Sequence, residues 1–187
     1  MVQVRVLGIA LDATGKHVVL LKPLGEAEGE GRVVPIWIGG QEATSTLIAL
    51  SDEPAPRPMS HDLMATILGT VGASVARVEV TRIEDGTFYA EITLDTATGR
   101  TILDARPSDS IALAVRVGAP IHVADEVVDD AGVPAAMVEP AAEESAGESG
   151  GSEAGGADAP APAGTAEEQV DEFKRFLDDV EPEDFEG

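Results

Sequence analysis

Short apolar runs separated by polar turns fill residues 1–138, and most of these runs have the length of strands. The run from Val2 to Leu11 is rich in β-branched residues and predicts a central strand. A turn over residues 12–16 leads into its hairpin partner at residues 17–21. Residues 33–38 predict a third strand, in which Pro35 indicates an edge position or a strand start because proline has no N–H to donate.

The apolar spacing then becomes helical in two adjacent segments. Residues 41–50 place Ala43, Leu47 and Leu50 on one apolar face, which predicts a helix. A proline-rich loop follows, and Ser60 after it is a good N-cap for a second helix over residues 61–71.

Strands return after these helices and lead into a third helix. Residues 73–83 and 88–94 flank a strong hairpin signal, Asp85-Gly86, and residues 101–103 continue the sheet. Pro107 suits the first position of a helix that is apolar on nearly every face, so we expect this helix to be covered on more than one side. The element order predicts an α+β fold with a mixed or antiparallel sheet and helices packed on one side.

The composition changes sharply after this region. Residues 139–165 are almost entirely Ala, Gly, Glu, Ser and Pro, and we interpret them as a disordered linker. Residues 166–187 form an acidic tail, and its first part, residues 166–180, predicts an amphipathic helix. The chain therefore divides into a folded domain at residues 1–138, a linker and a helical tail.

The net charge of −23 is unevenly distributed along the chain. Residues 139–187 carry sixteen acidic and two basic side chains, whereas residues 1–138 carry nineteen and ten. The folded domain therefore lacks the basic surface that is typical of a nucleic-acid binder. Cysteine is absent, and we find no signal peptide and no membrane span, so we expect a cytoplasmic protein that does not bind membranes.

One group of candidate site residues surrounds the start of the third helix. Asp104 and Asp109, with Glu42 as a possible third carboxylate, are hard oxygen ligands that suit Mg²⁺ or Mn²⁺. Arg106 and Ser108 are suited to binding a phosphate. The structural alternative is that Asp109 caps the helix while Arg106 pairs with Asp104 and locks the turn.

A second group lies around the start of the preceding helix. His61 is a candidate general base or metal ligand because histidine titrates near neutral pH, and Arg57 is a candidate phosphate ligand. The alternative is a structural histidine at a helix start. We expect His17 to be structural or on the surface, Trp37 to lie in the core or a subunit contact, and Phe88 to pack rather than to stack on bases.

Four separated blocks, in chain order, resemble the bifunctional nuclease family. They are Pro35-Ile36-Trp37-Ile38-Gly39 with Glu42-Ala43, Pro56-Arg57-Pro58 with His61-Asp62-Leu63, Asp85-Gly86-Thr87-Phe88-Tyr89-Ala90, and Asp104-Ala105-Arg106-Pro107-Ser108-Asp109-Ser110-Ile111-Ala112-Leu113-Ala114. The resemblance implies cleavage of both DNA and RNA. It carries no settled catalytic mechanism, and it does not extend to the tail.

Two hypotheses follow. The first is a metal-dependent nuclease in which Asp104, Asp109 and His61 are catalytic, Asp104, Asp109 and Glu42 hold the metal, and Arg57, Arg106 and Ser108 bind phosphate. The second is a non-enzymatic binding or regulatory module whose acidic tail helix docks on a protein partner. We expect a homo-oligomer in either case, because edge strands need cover.

Overall fold

A computed structural model describes residues 1–27, 29–51 and 55–138. Within them lie eight strands, four α-helices and a 3-10 turn, Ala135–Met137. The strands are β1 (Val2–Leu11), β2 (His17–Pro23), β3 (Arg32–Trp37), β4 (Ser74–Glu84), β5 (Thr87–Thr96), β6 (Gly99–Ala105), β7 (Ile121–Val123) and β8 (Val133–Pro134). The helices are α1 (Gly40–Leu50), α2 (Ser60–Thr70), α3 (Pro107–Val117) and α4 (Asp125–Ala131).

All eight strands belong to one mixed sheet in the order β6-β5-β4-β7-β1-β2-β3-β8. The short strand β7 pairs parallel with β4 and antiparallel with β1, so it joins the two antiparallel halves of the sheet. Pro35 pairs with Leu20 of β2, while β8 covers only Arg32 and Val33 on the other side of β3. Pro35 therefore lies where the outer side of β3 has no strand partner, which suits a residue without an N–H.

The main core lies between the sheet and the helices on one of its faces. Helix α3 packs against β4 and β5 and also contacts both α1 and α2. Its Ile111 and Ala114 are buried with the strand residues Val78, Val80 and Ile92. The predicted α+β architecture with helices on one side of a mixed sheet is confirmed, and α3 is covered on several sides as its apolar composition predicts.

The opposite face of the sheet carries polar residues over β6, β5, β4 and β7. Asp104 pairs in register with Glu91, Glu91 with Glu79, and Glu79 with His122. Residues paired in register point to the same side of a sheet, so these four share the face away from the main core. A small apolar cluster, including Val18, Leu20, Val33 and Ala135, occupies this side of β2 and β3.

Helices α1 and α2 depart from the predicted details. Leu47 and Leu50 are exposed, and the buried residues of α1 are Ala43, Ser45 and Thr46. The apolar face predicted for α1 is therefore wrong at Leu47 and Leu50, whereas Ala43 is buried as predicted and lies beside the buried polar residues of this helix. Ser60 is the first residue of α2 rather than its N-cap, and the carboxylate of Asp62 accepts the backbone N–H of residue 59.

The predicted linker at residues 139–165 and the tail at residues 166–187 lie outside the described residues, so both stay predictions. Within the described part of the chain, no helix has the length and apolar character needed to cross a membrane.

Ile111→Ala tests the position of α3 in the core. Ile111 is 1% exposed, so we expect its truncation to lower the free energy of unfolding by about 2–5 kcal/mol, through lost burial and the cavity left behind. The matched control is Ile102→Ala on β6, where the side chain is 57% exposed and the change should stay within about 0.5 kcal/mol. Urea unfolding followed by circular dichroism measures both, and equal losses would contradict this core.

Candidate active site

A buried arginine joins three helices beneath the candidate site. The Arg116 side chain of α3 is 6% exposed. Its Nε donates to Asp62 Oδ1 of α2 at 2.6 Å, and its Nη2 donates to the backbone oxygen and the hydroxyl of Ser45 in α1 at 2.9 and 3.0 Å. Charge-assisted hydrogen bonds of this kind are about twice as strong as neutral ones. Arg116 therefore holds α1 and α2 at fixed positions relative to α3.

His61 continues this network towards the surface. Its Nδ1 lies 3.0 Å from Ser45 Oγ, and its Nε2 lies 3.3 Å from Asp109 Oδ1 of α3. Because Ser45 Oγ already accepts from Arg116, its own proton is free to go to Nδ1, and the tautomer assigned from this network carries its proton on Nε2. Both ring nitrogens then have a hydrogen-bond partner, and the catalytic role of His61 stays a prediction.

Arg106 lies between two carboxylates at the outer end of the network. Its Nε and Nη2 donate to Asp109 at 2.8 and 3.1 Å, and Nη2 also donates to Glu42 Oε1 at 2.9 Å. These bonds raise the pKa of Arg106, with the hydrogen bond to Asp109 as the largest cause, so the guanidinium stays charged. Its Nη1 donates to no protein group among the described residues. This edge of the guanidinium is available to a ligand.

The Glu42 side chain curls back over Gly39 on its way to Arg106. A Cβ at position 39 would clash with Glu42 Oε2, so a larger residue there would require the flexible end of Glu42 to shift. The paired glycines after β3 stop that strand, and this contact of Gly39 is one that the sequence does not reveal.

Two cavities meet at Arg106. The smaller has a volume of about 210 Å³ and is lined by Glu42, Ser45, His61 and Asp109 among others. The larger has a volume of about 700 Å³, and Arg106 and Ser108 line one side of it. Arg106 therefore borders both the carboxylate cluster and the larger cavity. The volume of the larger cavity lies in the range of small-ligand sites.

The larger cavity has a cationic and aromatic lining. Its lining includes Lys16, His17, Trp37, Phe88 and Arg106. Among the described residues that line this cavity there is no aspartate or glutamate. Helices α1 and α3 both begin here without a side-chain cap, and each has a carboxylate in its first turn, Glu42 and Asp109. From the sequence, Lys16 has no predicted role and His17 is expected to be structural or on the surface, because both are far from the carboxylates along the chain.

The structure brings together some of the predicted site residues and separates others. Glu42, His61, Arg106 and Asp109 form one hydrogen-bonded cluster. Asp104 is exposed on the opposite face of the sheet, so the Asp104–Arg106 pairing considered in the sequence analysis is absent and Arg106 pairs with Asp109 and Glu42 instead.

Arg57 is exposed and lines neither cavity, so its role as a phosphate ligand stays a prediction.

The predicted metal ligands are the next point of comparison. Across the described residues, no three His, Asp or Glu side chains are grouped closely enough to hold a metal ion. The guanidinium of Arg106 neutralises the carboxylates of Glu42 and Asp109, in the position that a cation would take. This arrangement does not fit a metal centre without a movement of Arg106.

The fold and the site define an α+β protein with an arginine–carboxylate cluster beside a cationic cavity. Residues 20–136 match the bifunctional nuclease domain, and the chain belongs to this family. The resemblance seen in the sequence is thereby confirmed. An uncharacterized protein of Mycobacterium tuberculosis is 36% identical over 184 residues, which cover 98% of this chain and 97% of that protein.

Two plant proteins give a more distant match. Bifunctional nuclease 1 of Oryza sativa subsp. indica and the bifunctional nuclease of Oryza minuta are each 26% identical over 132 residues. The matches cover 69% of this chain and 39% of each plant protein. The mycobacterial match therefore also takes in residues that follow the domain, whereas the plant proteins extend well beyond the shared region.

Arg116→Met tests the network beneath the site. Methionine keeps much of the apolar stem but leaves Asp62 and Ser45 without their donor, so we expect a loss of about 3 kcal/mol in the free energy of unfolding. The matched control is Arg100→Met, which removes an exposed pair with Asp95 and should cost less than about 1 kcal/mol. Urea unfolding measures both. A loss for Arg116→Met no larger than for the control would contradict the structural role.

Asp62→Asn tests the electrostatics of the same network. The backbone N–H of residue 59, followed by Arg116, holds the pKa of Asp62 below its ordinary value of 3.8. A lowered pKa in the folded state adds stability above the ordinary value, and this stability is lost as the pH falls through the folded value. The variant should therefore show a shallower loss of unfolding free energy than the parent below about pH 4. Urea unfolding over a pH series measures this, and equal slopes would contradict it.

Proposed function

We propose that this protein is a nuclease that hydrolyses phosphodiester bonds of DNA and RNA at the cluster of Glu42, His61, Arg106 and Asp109. The observation that carries the proposal is the position of Arg106, which borders both cavities while its Nη1 edge is unused among the described residues. Membership of the bifunctional nuclease domain family and the printed names of the rice relatives support the same activity.

Arg106 binds the scissile phosphate in this proposal. Its planar guanidinium suits two phosphate oxygens, and its positive charge stabilises the extra negative charge of the transition state. Asp109 holds Nε and Nη2, so the side chain is already oriented before the substrate arrives. His61 forms a hydrogen bond with Asp109, and Ser45 forms one with His61, so both are positioning residues.

Glu42 is the general base in this proposal. Its side chain is 18% exposed, lines the smaller cavity and shares a single hydrogen bond with Arg106. When a phosphate takes over part of the guanidinium, the Glu42 carboxylate becomes free to accept a proton from a water molecule. The water oxygen then forms the new bond to phosphorus, and the leaving oxygen takes its proton from the solvent.

Metal dependence remains part of the hypothesis rather than of this mechanism. Glu42 and Asp109 are the predicted carboxylate ligands that lie close together, and a bound Mg²⁺ or Mn²⁺ would polarise the phosphate. Because Arg106 lies between them, a metal would have to displace it. We therefore derive no step through a metal, and Asp104 takes no part in the proposed cluster.

Arg106→Gln and Glu42→Gln test this proposal directly. We expect each change to lower kcat/KM on single-stranded DNA and RNA by at least about 100-fold, because one removes transition-state charge stabilisation and the other removes the base. Arg100→Gln is the matched control, since it removes an exposed arginine from an Asp pair far from the cluster, and it should cleave like the parent. Protein from a nuclease-deficient host, with equal urea midpoints across the variants, allows the comparison.

The same assay decides the metal question and the rival hypothesis. Cleavage that survives EDTA supports the metal-free mechanism, whereas cleavage that needs Mg²⁺ or Mn²⁺ contradicts it. Cleavage by Arg106→Gln at the parent rate would contradict the proposed site. A parent without any activity would favour the binding module.

One observation favours that binding module as a second candidate. Leu63, Met64 and Ile67 of α2 are exposed, while His61 and Asp62 form hydrogen bonds with α3. An uncharged apolar helix face suits contact with another protein surface. It is compatible with the predicted homo-oligomer, and the docking of the tail helix on a protein partner stays a prediction.

A further inference from the structure

We infer that the larger cavity binds one nucleotide of a single-stranded polynucleotide, with its phosphate on Lys16 and Arg106 and its base against Trp37. The inference rests on the proposed function, since it names the substrate form and the subsite that places a phosphodiester at Arg106. It adds two residues, Lys16 and Trp37, to the cluster of Glu42, His61, Arg106 and Asp109.

The charge of the cavity is the first argument. The chain has 35 acidic and 12 basic residues, yet the described residues lining this cavity include Lys16 and Arg106 and no carboxylate. Asp12, Glu42 and Asp109 contact lining residues from outside the cavity and balance part of this positive charge. A phosphate is therefore bound here by direct hydrogen bonds from Lys16 and Arg106 rather than by a net positive field. Lys16 is held at the rim because the turn before it is closed by Asp12, whose Oδ1 accepts the backbone N–H of Lys16 at 3.0 Å.

The indole of Trp37 is the second argument. Instead of lying in a core, it is 54% exposed beside the cavity, which corrects the core interpretation considered in the sequence analysis. Its Nε1 donates to Asp12 Oδ2 at 2.9 Å. Hydrogen bonds from Thr14 and then from Trp37 hold the pKa of Asp12 well below its ordinary value, so this acceptor stays charged. One turn thus orients both an exposed aromatic ring and a lysine at the same cavity.

The form of the substrate follows from this exposed ring. An aromatic side chain can stack on a nucleobase only when the base has left its own stack, as in a single strand or a flipped nucleotide. Stacking is tolerant of sequence because every base has an aromatic face. DNA and RNA single strands meet this requirement equally, so the geometry predicts a preference for strand form rather than for sugar type.

Fluorescence gives a direct test, because Trp37 is the sole tryptophan of the chain. The probes are a phosphorothioate single-stranded octanucleotide that resists cleavage, the same strand with abasic sites, its duplex form and a free mononucleotide. We expect strong quenching by the single strand and little by the abasic strand or the duplex. Quenching by the mononucleotide as strong as by the single strand would overturn the assignment to a polynucleotide.

Variants measure the two parts of the subsite by anisotropy of a labelled strand. Trp37→Leu should weaken binding by about tenfold, which corresponds to about 1.4 kcal/mol and is typical of the loss of one stacked base, while Trp37→Phe should retain most of the affinity. Lys16→Gln should weaken binding and make its salt dependence shallower, since it removes one of the two phosphate contacts. Arg100→Gln is again the control and should bind like the parent. Urea midpoints show whether each variant is folded.

The outcomes separate this inference from the proposed activity. The inference would be overturned, and the activity left in place, if the parent cleaves but shows no quenching. The same holds if the parent cleaves and Trp37→Leu binds the labelled strand as tightly as the parent does. A parent that is quenched by the single strand and loses affinity in Lys16→Gln, but does not cleave, would keep the binding site and overturn the nuclease.

Discussion

The buried guanidinium of Arg116 is the constraint on which the arrangement of the helices depends. It lies on α3, whose apolar residues pack in the main core, and it reaches α1 through Ser45 and α2 through Asp62. A charge in this position is costly to bury unless each of its donors finds an acceptor. The three helices can therefore meet in few ways, and the side chains at their starts take fixed positions.

Helix α2 shows how much depends on these polar contacts. His61 is its only buried residue, and several of its apolar side chains face outward. Ala65 and Leu68 pack against the main core, and the bonds of His61 and Asp62 add polar contacts that fix the position of the helix. The same bonds hold Asp109, and Asp109 holds Arg106, so the structural network and the proposed phosphate ligand form one connected system.

The fold class could be predicted from the sequence because strand alternation, hairpin turns and the Pro107 helix start are local signals. The sequence also indicated in part that the starts of the helices lie close together, because acidic residues recur at those turns. The pairing of Arg106 with Glu42 was not foreseeable, because Glu42 lies 64 positions away along the chain. We grouped Asp104 with Asp109 because they are close along the chain. Strand alternation instead places Asp104 on the face of the sheet away from the helices.

Although the chain is acidic, the described residues that line the larger cavity include no carboxylate, and Asp109 already orients the guanidinium at its edge. The most direct test is a crystal structure with a phosphorothioate dinucleotide. We predict that its phosphorothioate contacts Nη1 of Arg106 while Asp109 still holds Nε and the bonds of Arg116 are unchanged. A dinucleotide bound away from Arg106, with the larger cavity empty, would contradict the account.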